Sequence, residues 1–307
     1  MNENFRLVMI GAMYENGGNL LHRLLDGHPQ LFVYPFESQL GTAAVNDPLA
    51  SLFPKKYRWP AFALDADPTQ DYHAIIDEEC KVRARTPHVS KFRHVDFEFS
   101  DDERRASYVR YVEQTGRSRA NNVAAFLRAT FDCWKNRRST GEETCYVGYS
   151  PIVAVDTEKI LSDFPQAHVV HVVRNPWSAY ADTKKRPMPL ALREYMLGWV
   201  VNQYFALLFQ KRFPGRVHVL RTEDVMADSL AALHPLCVSL QLRVTDSLKT
   251  PSWNGTPQSE VYPWGTIRRA TADVNRATAA ELSPGEREEI RAAAWQYLEV
   301  FNYSSFV

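Results

Sequence analysis

The sequence predicts an α/β fold, a central and mostly parallel sheet with helices on both faces. Three observations carry this reading. Five short β-branched or aromatic runs recur along the chain, at 6–12, 31–37, 145–150, 167–174 and 216–224. They are continuously apolar rather than alternating, as strands buried on both faces are. Helical patterns fill the intervals, and strands alternating with helices give parallel strands joined by crossovers.

Taken in order, "RLVMIGA" is the first strand. "GNLLHRLLDGHP" follows as a helix, apolar at Leu20, Leu21, Leu24 and Leu25 and ended by Gly27 and Pro29. "LFVYPFE" is the second strand. From about 45 to 140 the rhythm breaks into charged and aromatic stretches such as "TPHVSKFRHVDFEFSDDERR", then turns helical in "NNVAAFLRATFDCWKNRR". This segment reads as an inserted, mainly helical cap beside the carboxyl edge of the sheet, where substrate contacts fall; a structural subdomain is the alternative. "CYVGYS", "AHVVHVVR" and "RVHVLRTED" supply the remaining strands. The helical stretches "SPIVAVDTEKILSDFP", "REYMLGWVVNQYFALLFQKRFPG" and "EDVMADSLAALHPLCVSL" go with them. "SPGEREEIRAAAWQYLEVF" closes the chain with a capping-box start at Ser283 and Glu286. One domain spanning 1–307 is expected.

The bulk numbers exclude several classes. Lys plus Arg and Asp plus Glu are both 36 in 307 residues, so no global field favours nucleic acid, and anion affinity must be local. The four cysteines form no CxxC pair, which suggests neither a zinc site nor a disulfide framework and fits a reducing compartment. No signal-peptide pattern or membrane-length apolar stretch is present, so a cytoplasmic location is expected. HExxH, GxSxG and GxxxxGK[ST] are all missing, and no metal site is expected. His28, His168 and His171 read as structural groups.

The stretch "GAMYENGGNLLHRLLDGHP" (11–29) has the strand, glycine turn and helix order of an anion site. Such a turn presents free N–H groups and the positive end of a helix dipole. Gly17 and Gly18 permit unusual φ and close approach, while Asn16 and Asn19 can cap. Yet the turn carries Glu15, and no lysine or arginine follows until Arg23.

"GGNLLHRLLDGHPQLFVYPFES" resembles the first nucleotide-binding segment of the sulfotransferase family, R-S-G-T-T-L-L running into L-L-D-x-H-P and a strand ending P-x-E. "FPQAHVVHVVRNPWSAYAD" resembles its second segment, a strand, then R-[DN]-P and a helix. "RVHVLRTEDVMADSLAALHPLCVSL" resembles the later strand-to-helix element with its E-D pair. The matches lie in family order over about half the chain. The resemblance implies a sulfotransferase-like, P-loop NTPase-like fold. It also implies transfer of a sulfuryl group from 3′-phosphoadenosine-5′-phosphosulfate (PAPS) to a glycan, lipid-linked sugar or small-metabolite hydroxyl. By that match Asn16, Gly17, Gly18 and Asn19 line the 5′-phosphosulfate site, and Arg174 meets the 3′-phosphate. Glu37 falls where carbohydrate- and protein-type members place the base that deprotonates the acceptor; capping of "SQLGT" is its structural alternative.

Three positions depart from the pattern. Glu15 replaces the basic loop residue, Asp182 stands eight residues after Arg174 where a serine is usual, and Tyr149 replaces the lysine of K-[TS]-P. Two lost hydrogen bonds to a charged group would weaken binding by roughly two to four powers of ten. Three explanations are open. Cations come from elsewhere, among them Lys184, Lys185 and Arg186, or Arg268 and Arg269 in a region where the family adds nucleotide contacts. The acids, Asp182 included, serve another donor or a divalent ion. Or only a binding role survives. His88, Lys91, Arg93 and His94 form a basic patch in the insertion that faces either solvent or an acidic acceptor.

Overall fold

The structure, a computed structural model, describes residues 4–65, 67–258 and 271–307. Its strands are β1 (Leu7–Gly11), β2 (Leu31–Val33), β3 (Cys145–Tyr149), β4 (His168–Val173) and β5 (Val217–Arg221), with a small hairpin of β6 (Ser252–Trp253) and β7 (Thr256–Pro257). Its helices are α1 (Gly18–Leu25), α2 (Pro68–Ala74), α3 (Glu78–Arg85), α4 (Asp101–Thr115), α5 (Arg119–Cys133) and α6 (Thr157–Asp163). Then come α7 (Pro176–Thr183), α8 (Leu192–Arg212), α9 (Thr222–Ala227), α10 (Ser229–Ser239), α11 (Ala272–Ala280) and α12 (Pro284–Leu298).

The five main strands are ordered β2-β3-β1-β4-β5, and every ladder is parallel. The chain leaves β1 toward β2, whereas it leaves β3 and β4 toward the opposite edge. That reversal beside β1 opens a crevice at the carboxyl ends of the strands, the usual ligand position of such sheets.

Side-chain alternation along β1 shows why its run is continuously apolar. Leu7 and Met9 pack with α4, α5 and α6 on one face, and Val8 and Ile10 pack with α1 and α10 on the other. β2 is shorter than its run of 31–37 because Pro35 has no N–H for a ladder. The segment still follows β3 irregularly, through Tyr34 N–H to the Val147 carbonyl (2.9 Å) and Ser38 N–H to the Tyr149 carbonyl (2.7 Å).

The stretch from 45 to 140 is mainly helical, and its α5 belongs to the sheet core: Val123, Phe126 and Leu127 are fully buried there. A charge cluster fixes its remaining helices. Arg104 is fully buried, with Nη1 donating to Asp77 and Nη2 to Asp101, each at 2.7 Å, and Nε to the Tyr72 hydroxyl at 2.7 Å. Tyr34, just after β2, donates to Asp77 at 2.8 Å. The start of α3 is thereby pinned to the end of β2. Among the described residues, no helix is long and apolar enough to cross a membrane.

Candidate active site

The turn after β1 has a shape only glycine supports at two positions. Gly17 has φ 89°, and a Cβ there would lie 2.3 Å from Thr222 Oγ1. A Cβ on Gly18 would lie 2.5 Å from the Tyr149 ring. Glu15 itself takes φ 59°, unusual for a side chain larger than Asn or Asp. Asn16 braces this geometry from behind. Its Oδ1 accepts from Arg174 N–H (2.9 Å) and the Trp199 indole (3.2 Å), and its Nδ2 donates to the Tyr195 hydroxyl (3.0 Å). Thr222 Oγ1 donates to the Asn16 carbonyl at 2.6 Å. Asn16 is buried and does not line the cavity in front of the turn. The first turn of α1 has no acidic side chain. Its N–H groups, which a helix leaves without internal partners, are thus available to an anion.

In front of the turn lies a cavity of about 350 Å³. Gly17, Gly18 and Asn19 line one wall; Glu37, Tyr149, Lys91 and Arg186 line others, with Tyr14 and Glu15 at the side. Glu37 is partly buried, and its backbone N–H donates to Glu79 Oε2 at 3.1 Å, while Gln39 Nε2 donates to its carboxylate at 3.4 Å. Glu79, in the first turn of α3, is nearly buried and pairs with Lys91. Burial, then the Glu37 charge, push the Glu79 carboxyl up to about 7 against the pull of Lys91.

Of the basic triplet after α7, Arg186 reaches the cavity. Its guanidinium lies 4.8 Å from the Tyr14 ring centroid and 3.9 Å from the Glu15 carboxylate. Lys184 pairs with Glu286 (2.5 Å), and Lys185 with Asp182 (3.2 Å) and Glu281 (2.7 Å). In the insertion's basic patch, Lys91 lines the cavity, whereas His88, Arg93 and His94 are exposed.

Arg174 follows β4 behind the turn and is almost fully buried. Its Nη1 donates to Asp182 Oδ2 (2.8 Å) and the Glu15 carbonyl (3.0 Å), and its Nε to Asn275 Oδ1 (2.7 Å). Two charges at about 4 Å interact by roughly 4 kcal/mol at an effective dielectric near 20. The Asp182 carboxylate therefore already supplies the counter-charge of Arg174. Burial raises the Glu15 carboxyl, Arg186 opposes this, and Asp182 adds to it. Arg186 thus faces Glu15, while Arg174 and Lys185 face Asp182. Among the described residues no group of three or more His, Cys, Asp or Glu side chains converges as a metal centre requires. Arg268 and Arg269 lie outside the described residues.

Two contributors had no sequence signal. Glu79 is one acid among several in a helix start, and Asn275 lies 101 residues from the arginine it holds. The glutamate of the E-D pair is structural: Glu223 accepts from Asn175 N–H (3.0 Å) and from the Tyr303 hydroxyl (2.6 Å), joining β4, β5 and the C-terminal segment.

A parallel sheet with a glycine turn at its reversal, and a cavity that the turn shares with a carboxylate and two cations, is the arrangement of a group-transfer class of α/β protein. The chain belongs to the sulfotransferase family: the sequence profile described as "Sulfotransferase family" matches residues 8–246. It is an enzyme of that family. Among solved structures, the sulfotransferase domain from the Synechococcus PCC 7002 olefin synthase is similar at 17% identity. The match covers 99% of this chain and 96% of that one, with a TM-score of 0.55. Sulfotransferase STF9 from Mycobacterium avium is 14% identical over 97% of this chain and 77% of that one, at a TM-score of 0.48. The sulfotransferase from Alicyclobacillus acidocaldarius is 12% identical over 97% and 96%, at 0.45. The first of these likenesses supports the fold. No curated protein matches the chain significantly.

Proposed function

We propose that the chain transfers a sulfuryl group from an activated phosphosulfate donor, of which PAPS is the family's form, to a hydroxyl of a glycan, lipid-linked sugar or small metabolite. The observation that supports this reading is that Glu37 and the Gly17–Gly18–Asn19 turn, 18 residues apart at their nearest, line one cavity. Glu37 takes the acceptor proton. The N–H groups of the turn, with Arg186 and Lys91, stabilise charge on the transferring group and on the departing phosphate. Lys91 also holds Glu79, which steadies the Glu37 backbone.

PAPS fits this site at one end. The glycine cradle suits its phosphosulfate, but Arg174 is engaged by Asp182 and does not offer a free cation to a 3′-phosphate. No step here depends on that phosphate. The test is release of nucleotide by the purified protein from PAPS or adenosine 5′-phosphosulfate, across a panel of hydroxyl acceptors. Acceptor-dependent release that vanishes in Glu37→Gln is expected. Release that continues unchanged in that variant would remove Glu37 as the base.

A further inference from the structure

We propose that the Arg174–Asp182 pair does not accept a 3′-phosphate, and that the donor is a nucleoside 5′-phosphosulfate without one. The inference rests on the sulfuryl-transfer reading above and narrows its donor. Its ground is the charge circuit that the described residues form around Arg174. Arg174, 9% exposed at its side chain, donates to Asp182, to Asn275 and to the Glu15 carbonyl. Asp182, 11% exposed, is held a second time by Lys185, and Lys185 is shared with Glu281. The carboxylate is thus anchored on α7 from two sides.

A phosphate brought to Arg174 would have to displace this carboxylate from both cations or lie against it, and like charges at contact in a partly dry site repel strongly. Glu15, whose carboxyl the Asp182 charge helps to raise, adds a second acid nearby. A hydroxyl meets the opposite situation, since it can donate to a carboxylate that a phosphate cannot approach. The same logic makes an acidic side chain select an unphosphorylated ribose in dinucleotide sites.

The step balances without any other reactant. The S–O bond to the bridging oxygen of the phosphosulfate breaks as the acceptor oxygen bonds to sulfur. The acceptor proton passes to Glu37, and nucleoside 5′-monophosphate leaves with the bridging oxygen.

The experiment is calorimetric titration of the purified full chain, and of Asp182→Ser and Asp182→Asn, with adenosine 5′-monophosphate and adenosine-3′,5′-bisphosphate. The unmodified protein is expected to bind the monophosphate more tightly by roughly tenfold or more. Both variants, checked for folding by circular dichroism, should shift the preference toward the bisphosphate. Tighter or equal binding of the bisphosphate by the unmodified protein overturns this inference and leaves the sulfuryl-transfer reading standing. Binding of neither nucleotide by any of the three proteins at millimolar concentration overturns both.

Discussion

The backbone N–H of Glu37 donates to the Glu79 carboxylate at 3.1 Å, so the main chain of a cavity-lining acid is tied to a second acid at the start of α3. Burial and the Glu37 charge raise the Glu79 carboxyl, and Lys91 pulls it the other way.

That pair makes stability depend on pH in a stated direction. The folded pKa of Glu79 is about 7 against an ordinary 4.5, so between these values the folded chain binds more protons than the unfolded one. Its contribution to stability is therefore full below about pH 4.5 and falls as pH rises through 7, by up to roughly 3 kcal/mol. Urea midpoints at pH 5 and pH 8 would show it. Glu79→Gln should flatten the difference, and an unchanged slope would refute the assignment.

Glu37→Gln should lower turnover by roughly 10²- to 10⁴-fold while leaving product-nucleotide binding in place, because a base acts on the acceptor rather than on the donor. Single-turnover rates and calorimetry on the same preparation separate the two effects. Loss of both together would place Glu37 among the donor contacts.

Gly17→Ala should destabilise the fold by roughly 2 kcal/mol or more, through a left-handed φ and a Cβ driven into Thr222. The double variant with Thr222→Ala relieves the collision but not the φ. Partial recovery of the melting temperature is expected. Full recovery would mean that backbone strain contributes nothing.

Arg104→Met leaves Asp77 and Asp101 without their buried cation and should cost about 3–5 kcal/mol. Chemical denaturation measures it. A loss below 1 kcal/mol would show that water reaches this cluster.

Much of the fold was legible because strands covered on both faces give continuous apolar runs, and glycines mark the turn that needs them. Pro35 truncated the second strand in a way the run concealed. The candidate site was legible where it is local. Gly17, Gly18, Asn19 and Glu37 sit in one motif-bearing stretch, and the cavity brings them together. Asn16 was in the same stretch, but its side chain faces backward into Tyr195 and Trp199. Arg186 stood out only as part of a basic triplet, and no local pattern separates it from Lys184 and Lys185. Glu79 was illegible because its position follows from Arg104, Asp77 and Tyr34, three residues linked only through the folded chain.

The bracing of the turn divides its chemistry between two sets of positions. Curvature is set by Asn16 against Tyr195, Trp199 and Thr222, and none of these faces the cavity. The side chain of Glu15 takes no part in that bracing. The side chains at 15, 182 and 186 can accordingly be exchanged, and the charge beside the turn altered, without touching the contacts that set its curvature.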